Sequence, residues 1–315
     1  MKIIKKIREQ ARRLNKTIVL PESDEPRIIE AAKFINKNRI AKAVLLGTKD
    51  IEPGKLDDFS SIFYELRKHK GISQEEAKEI IRKPLYYGAM LVRQGLADGL
   101  VAGASHTTPD VARAAIYCIG VDERFITASS SFIMMIPDCG YGENGVFIFA
   151  DCGIVPEPSP ENLANIAISS AELAQAVLGI VPKVAMLSYS TKGSASGRLV
   201  EKVKEATEIA KKSRPDLLID GELQVDAAIV PEVAKIKGAS DVLGGRANIL
   251  IFPNLEAGNI SYKIVQRLAK ARAIGPLLMG LIKPCSDLSR GCDVDDIIDC
   301  VAVTAIRSAK AQDRL

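Results

Sequence analysis

The chain of 315 residues is 47% hydrophobic and 26% charged, the balance of a globular protein with room for one large or two ordinary domains. Its formal net charge is +4 and no basic run is interleaved with aromatic residues, which argues against a nucleic-acid-binding protein. The six cysteines form no Cys-x-x-Cys pair and there are two histidines, so neither a zinc site nor a secreted disulfide framework is expected.

The first part of the chain predicts the start of a parallel sheet. Residues 1–16 are basic and amphipathic, lack the apolar core of a signal peptide, and predict a helix. The β-rich run 17–20 is followed by a helical pattern over 27–35 and a second strand over 41–46. This order calls for parallel strands joined by a right-handed crossover. Residues 48–58 predict a polar surface loop. No apolar run is long enough to span a bilayer, and we expect a cytoplasmic protein.

A group of potential cations stands just before Gly71, namely Arg67, Lys68, His69 and Lys70. Cations followed by glycine are typical of a helix C-terminus, where the charges suit the helix dipole and the glycine ends the helix. The same charges can also meet a phosphate group. Both interpretations stay open at this point, and Arg67 is a candidate substrate-binding residue.

The next turn is a candidate anion site. A strand over 98–102 runs into the segment 103–110 and then into a helix that carries Arg113. Glycine, free N–H groups and hydroxyls at a helix N-terminus suit an anion. The candidate hydroxyl ligands are Ser105, Thr107 and Thr108. The simpler interpretation is that Thr108 caps the helix, with Pro109 in the first helical position.

The middle of the chain predicts a β-hairpin, followed by a second series of alternating strands and helices. The apolar runs 126–136 and 146–150 are joined by a glycine-rich turn, and Ser159-Pro160 starts a long helix. A strand over 183–187 leads into a loop of hydroxyls and glycines that can cradle a phosphate or simply be flexible. Its candidate ligands are Ser190, Thr191, Lys192 and Gly193.

The C-terminal stretch 283–296 places several potentially catalytic side chains between a predicted strand and a predicted helix. It offers the hydroxyl of Ser289, the cation of Arg290 and a cluster of carboxylates. Asp293 and Asp296 also have the spacing of a capping box, so Asp296 has both a structural and a catalytic interpretation. No P-loop, dinucleotide fingerprint or G-x-S-x-G elbow occurs in the chain. The residues by themselves indicate an α/β enzyme that acts on an anionic, phosphorylated substrate through arginines, hydroxyls and a carboxylate base.

A series of segments in fixed order carries a closer resemblance. They are TIVLPE (17–22), YELRKHKGI (64–72), DGLVAGASHTT (98–108), IPDCGYGENG (136–145), PKVAMLSYSTKGSA (182–195), IDGELQVDAAIVP (219–231), NILIFPNLEAGNISYKIVQRLAKA (248–271) and DLSRGC (287–292). With these segments the chain resembles the phosphate acetyltransferases (phosphotransacetylases) over nearly its whole length. Ser286 is a small departure, since the family often has Asn before Asp-Leu-Ser-Arg.

The resemblance implies a fold and an activity. The fold would be α/β, with two three-layer α/β domains and a cleft between them, like isocitrate and isopropylmalate dehydrogenases. Residues 1–130 plus 287–315 would form the first domain and 131–286 an inserted second domain. The activity would be acetyl transfer between coenzyme A and inorganic phosphate by direct attack in a ternary complex. CoA would be a substrate, no cofactor or metal would be needed, and the protein would be a homodimer.

The resemblance also implies residue roles. Asp296 would take the thiol proton, while Ser289 and Arg290 would stabilise the developing oxyanion. Arg67 and Arg113 would hold phosphate groups. The alternatives are a phosphate butyryltransferase, an NAD(P)-dependent dehydrogenase on the related fold, and a non-catalytic CoA-binding protein.

Overall fold

The computed structural model describes residues 2–312, and they form an α/β protein, as predicted. The chain divides into two compact units. Unit 1 comprises Met1–Asp122 and Leu281–Leu315, and unit 2 comprises Glu123–Gly280. The domain boundaries and the cleft expected from the sequence stay predictions.

The strands are β1 (Thr17–Leu20), β2 (Lys42–Leu45), β3 (Gly99–Ala102), β4 (Ser129–Met135), β5 (Val146–Ala150), β6 (Lys183–Leu187), β7 (Leu218–Leu223), β8 (Ile249–Ile251), β9 (Arg272–Met279) and β10 (Cys285–Asp287). The helices are α1 (Lys2–Leu14), α2 (Pro26–Lys37), α3 (Pro53–Arg67), α4 (Gln74–Ile81), α5 (Pro84–Arg93), α6 (Thr108–Ala114), α7 (Pro160–Leu173), α8 (Arg198–Ser213), α9 (Val225–Ile229), α10 (Pro231–Ile236), α11 (Leu255–Leu268) and α12 (Val294–Gln312).

The sheet of unit 1 is parallel, with strand order β2-β1-β3-β10. Strands β1, β3 and β10 are short and almost wholly buried, as expected when helices cover both faces, whereas the edge strand β2 is partly exposed. Because parallel strands end at the same edge, the loops after β1, β2, β3 and β10 meet there. This edge carries most of the functional candidates of unit 1.

Helices α1 and α12 pack on each other and support the β10 loop. The apolar face of α1 is buried through Ile4, Ile7 and Ala11, which confirms the predicted amphipathic helix. Arg8 on the neighbouring face donates to Asp299 at 2.6 Å and to Asp295 at 2.7 Å. The start of α12 is therefore tied to the N-terminal helix.

Two local predictions were wrong. The segment 48–58 is not a loop, because α3 begins at Pro53. Proline is favoured in the first helical position, where its missing N–H costs no hydrogen bond. The cap of α6 is Thr107 rather than Thr108, and its hydroxyl accepts from the N–H of Asp110. Thr108 is thereby free to point its hydroxyl elsewhere.

Unit 2 has a mixed sheet with strand order β9-β4-β5-β8-β6-β7. The predicted hairpin is confirmed, since β4 and β5 pair antiparallel, while β5, β8, β6 and β7 run parallel. Phe132 stacks on Tyr262 at 4.3 Å between ring centroids, which packs α11 against the sheet. Ser159 caps α7 as predicted.

Candidate active site

The loop after β3 surrounds an internal carboxylate. Glu22, from the loop after β1, accepts hydrogen bonds from the backbone N–H groups of Gly103, Ala104, Ser105 and His106 at 2.9–3.1 Å. Burial acts to raise the pKa of Glu22, but the hydrogen bonds outweigh it and hold the pKa at about 2. The turn is thus a nest for an anion, as its composition indicates, and the anion that occupies it belongs to the protein.

The hydroxyls of this loop also donate inside the protein. Ser105 donates to Glu22 at 3.0 Å, Thr107 to Asp110 at 2.6 Å and Thr108 to Asp287 at 2.5 Å. Substrate contacts by these hydroxyls stay a prediction, and they would use the oxygen lone pairs or a rearranged loop. A pocket of about 310 Å³ beside this loop is lined by Ser105 together with parts of the loops after β1 and β2.

Arg27 is a loop-organising residue that the sequence reasoning missed. Its guanidinium donates to the carbonyl oxygens of Arg290 at 2.9 Å, Cys292 at 2.7 Å and Ala104 at 3.0 Å, and pairs with Glu25. It therefore joins the loop after β3 to the loop after β10. The sequence did contain one indication of this role. A cation in the first turn of a helix interacts unfavourably with the helix dipole, so its presence there indicates a role other than stabilising the helix.

Ser289 and Arg290 lie exposed at the tip of the loop after β10. The carbonyl of Ser289 accepts from Cys292 N–H at 2.9 Å and its hydroxyl from Gly291 N–H at 3.3 Å, which closes a tight turn. Within the described part of the chain, no acceptor pairs with the Arg290 guanidinium. A cation presented in this way is available to an anionic ligand.

Asp293 and Asp296 form the predicted capping box. Asp296 N–H donates to Asp293 Oδ1 at 2.8 Å, and Asp293 N–H donates to Asp296 Oδ2 at 3.1 Å. The structural interpretation is confirmed, and the catalytic one stays a prediction. The box places the half-buried Asp296 in the first turn of α12, one turn beyond the Ser289 loop.

Arg67 and Arg113 belong to one cluster of cations and tyrosines in unit 1. The Arg67 guanidinium lies 3.8 Å from the ring centroid of Tyr117, a cation–π contact. Arg113 pairs with Asp110 at 3.3 Å and lies near enough to Tyr86 to act on the pKa of its phenol. Tyr117 lies in the helical turn that continues α6, so Arg67, distant in sequence, contacts the helical segment that carries Arg113. Gly71, in the left-handed conformation, ends the turn after α3 as predicted.

The candidate loop of unit 2 is likewise built around a carboxylate. Glu222 Oε1 accepts from the Ser190 hydroxyl and from Gly193 N–H, both at 2.8 Å. Burial acts to raise the pKa of Glu222, but the hydrogen bonds prevail and lower it. Lys192 pairs with the buried Asp220 at 2.5 Å. The substrate role predicted for this loop stays a prediction, as it does for Thr191, whose hydroxyl lies 3.3 Å from Gln224 Oε1.

Asp287 is, after Arg27, another residue that the sequence reasoning did not single out. It ends β10, is fully buried, and accepts from Thr108 through Oδ2, whereas Oδ1 has no hydrogen-bond partner among the described residues. Burial raises the pKa of Asp287 to about 7 against the opposing effect of the Thr108 hydrogen bond. The backbone at Gly103 passes so close that a Cβ there would lie 2.2 Å from Oδ1.

The described residues contain no group of three or more His, Cys, Asp or Glu side chains placed to hold a metal ion. None of their helices is long and apolar enough to cross a membrane.

The fold and the loops define an α/β protein that presents arginines and hydroxyls at the carboxyl edge of a parallel sheet. The model of the family described as "Phosphate acetyl/butaryl transferase" matches residues 2–305, and the chain belongs to this family. The resemblance inferred from the sequence is thereby confirmed.

Individual relatives agree with this assignment. The chain is 51% identical to a phosphate acetyltransferase of Thermoanaerobacterium thermosaccharolyticum, over 98% of this chain and 100% of the relative. It is 48% identical to that of Acetivibrio thermocellus, over 98% of each. A solved phosphotransacetylase from Streptococcus pyogenes matches with a TM-score of 0.91 and 39% identity over 98% of both chains.

Proposed function

We propose that the protein is a phosphate acetyltransferase that transfers an acetyl group reversibly between coenzyme A and inorganic phosphate. The observation that carries the proposal is the exposed Ser289–Arg290 turn, in a chain that belongs to the family along almost its whole length. Membership makes the enzyme class an acyltransferase, and the relatives' names favour acetyl transfer over the dehydrogenase and non-catalytic alternatives.

The proposed reaction is direct transfer in a ternary complex. The CoA thiolate attacks the carbonyl carbon of acetyl phosphate, the C–S bond forms, and the bond to the phosphate oxygen breaks with its electron pair leaving on phosphate. Arg290 balances the charge that develops on the carbonyl oxygen, and the Ser289 hydroxyl donates to it. Both groups are exposed and so can reach a bound substrate.

Arg67 and Arg113 are the proposed phosphate ligands. Tyr117 restrains the guanidinium of Arg67 by the cation–π contact, while Arg113 is restrained by its ion pair with Asp110. A prearranged planar guanidinium loses less freedom when it binds a phosphate oxygen pair. The hydroxyls of the β3 loop and the Ser190–Gly193 loop of unit 2 are further proposed contacts.

A carboxylate must accept the thiol proton when CoA attacks. The resemblance assigns this role to Asp296, which is half-buried at the start of α12. A thiol has a pKa near ~8.5 and an ordinary carboxyl near ~4, so an unassisted carboxylate is a poor match as a base. The proposal requires either a lowered thiol pKa beside the arginines or a carboxyl with a raised pKa.

We also propose a cytoplasmic homodimer. CoA and phosphate as substrates, together with six cysteines that form no disulfide, fit a reducing compartment. Helix α11 presents Ile260, Ile264 and Leu268 one turn apart, and each is at least half exposed. Such a stripe on one helix face is typical of a surface that another chain covers, and a second copy is the occupant that the family resemblance implies.

The decisive experiment is CoA-dependent release of phosphate from acetyl phosphate by the purified protein, with and without EDTA. We expect turnover that EDTA does not change, because no metal takes part in the proposed steps. Absence of turnover would remove the proposal. Butyryl-CoA should be a poorer substrate than acetyl-CoA in the reverse direction, and a higher kcat/KM for butyryl-CoA would assign the protein to the longer acyl group.

A further inference from the structure

The loops after β3 and β10 meet at a hydroxyl–carboxyl pair to which the proposed mechanism assigns no proton transfer. Thr108 opens α6, the helix that carries Arg113, and its side chain is half-buried rather than enclosed. Asp287 lies two residues before Ser289 and is fully buried. The Thr108 hydroxyl and Asp287 Oδ2 are 2.5 Å apart, the distance of a strong O–H···O⁻ hydrogen bond.

The surroundings of Asp287 leave it without the usual neutralising partners. Its Oδ1 has no hydrogen-bond partner among the described residues, and no lysine or arginine forms an ion pair with it there. The nearby backbone N–H of Leu288 acts to lower the pKa of Asp287. A buried carboxylate with so few donors is costly to keep charged, and it gains by taking up a proton.

The titratable and charged groups around Asp287 come from every neighbouring element. They are Glu22 from the loop after β1, His106 from the loop after β3, Arg290 from the loop after β10, Cys285 on β10 and Cys300 on α12. Glu22 opposes ionisation of Asp287, and Arg290 favours it. Together with burial they place the pKa of Asp287 at about 7, much nearer to that of a thiol than an ordinary carboxyl lies.

We propose that Thr108 and Asp287 form a proton relay for the CoA thiol. The thiol gives its proton to Thr108 Oγ1 while the Thr108 hydroxyl proton passes to Asp287 Oδ2. The sulfur pair then forms the bond to the acetyl carbon. In the reverse reaction the proton on Asp287 returns by the same two steps to the departing thiolate. Thr108 is the group that touches the substrate, and Asp287 acts through it as a positioning and proton-holding residue.

The relay rests on the proposed acetyl transfer and differs from the assignment of Asp296. The carboxylate of Asp296 already accepts the N–H of Asp293 as part of the helix cap. When a hydroxyl donates its proton to a buried carboxyl, the lone pairs of its oxygen can still accept a hydrogen bond or a proton. Thr108 can therefore receive a proton without any change in the fold of the loop.

The test compares pH profiles of kcat/KM for acetyl-CoA formation in wild type, Asp287→Asn, Thr108→Val and Thr108→Ser. The wild-type rate should rise through pH ~7 as Asp287 ionises, with a separate rise near ~8.5 from a thiol. Asp287→Asn and Thr108→Val should lower the rate by about 10²–10⁴ and abolish the lower rise. Thr108→Ser keeps the hydroxyl and should retain both.

Matched controls separate this role from structural damage. Asp299→Asn alters another buried carboxyl of unit 1, and Thr304→Val removes another buried hydroxyl, which bonds Ser286. Both should keep the wild-type profile, and circular dichroism should show all variants folded. A lower rise that persists in Asp287→Asn, or that disappears in Asp296→Asn instead, would overturn the relay.

The relay and the proposed function fail in different ways. Wild-type protein without any acetyl-CoA formation would contradict the function itself. Asp287 can then still be observed by pH-difference infrared spectroscopy, as a carboxylic-acid band that Asp287→Asn removes. Loss of that band near neutral pH as the pH rises is expected, and a carboxyl already ionised at pH 5 would overturn the relay even without an activity assay.

Discussion

Arg290 is the residue on which the proposed transfer depends most directly. Its guanidinium is exposed and has no acceptor within the described chain, so its removal should leave the fold intact. We expect Arg290→Ala to lower kcat by about 10²–10³, because one donor to the oxyanion is lost. Steady-state kinetics and thermal unfolding check this. Arg82→Ala, at an exposed arginine whose ion-pair partner among the described residues is Glu79, is the control, and a near-normal kcat for Arg290→Ala would contradict the proposed role.

Glu22 is a residue whose charge holds two loops together. Its pKa of about 2 lies below the ordinary 4.5, so its contribution is complete above pH ~4.5 and disappears as the pH falls through about 2. A shift of this size corresponds to about 3 kcal/mol. Glu22→Gln should lower the free energy of unfolding by that order at pH 7, and the difference from wild type should shrink below pH ~4.5.

Urea unfolding across this pH range measures the effect. Glu79→Gln is the matched control, because that glutamate is exposed and forms a surface pair with Arg82, worth at most about 1 kcal/mol. Equal destabilisation by the two substitutions would show that the nest around Glu22 contributes no special stability. His106 reinforces the nest, since its hydrogen bond to Glu22 raises the pKa of the imidazole.

At the scale of elements, the capping box of α12 stabilises the start of this helix and also lies beside the candidate active site. In the described part of unit 1, side-chain capping boxes are formed by Ser73 with Glu76 at α4 and by Asp293 with Asp296 at α12. Loss of either cap should cost about 1 kcal/mol. Only the second is next to the Ser289–Arg290 turn.

We therefore expect Asp293→Ala and Ser73→Ala to destabilise the protein similarly, while only Asp293→Ala lowers kcat. Asp293→Ser restores a capping hydroxyl and should recover both stability and rate. Chemical unfolding and initial rates of the three variants provide the comparison. If Ser73→Ala lowered kcat as much as Asp293→Ala, the loss would be a general consequence of destabilisation.

At the scale of the whole molecule, the exposed stripe on α11 tests the proposed assembly. A charge placed in a buried apolar interface is costly, so Leu268→Glu should convert the proposed dimer to a monomer. Ile236→Glu is the control, because Ile236 is also exposed but lies outside the stripe. Size-exclusion chromatography with light scattering reads out the mass. A wild-type monomer, or an unaltered dimer in Leu268→Glu, would contradict the proposal.

The sequence by itself determined the α/β class, the family and much of the local structure. The cap at Ser159, the capping box at Asp293 and the hairpin of β4 and β5 follow from residues close together in the chain. Such signals depend on helix termini and turns, which local chemistry specifies. Such local signals do not always distinguish a helix from a loop. Proline fits both a loop and the first turn of a helix, and here it begins α3.

Only the tertiary structure decided what occupies the candidate loops. Glu22 meets Gly103 across 81 positions of sequence, Thr108 meets Asp287 across 179, and Arg27 meets Cys292 across 265. Composition indicated an anion site after β3, but only the fold showed that Glu22 accepts the N–H groups of this loop. The reason is physical: parallel strands bring the loops of distant segments to one sheet edge, where hydrogen bonds keep Glu22 charged and burial favours the neutral form of Asp287.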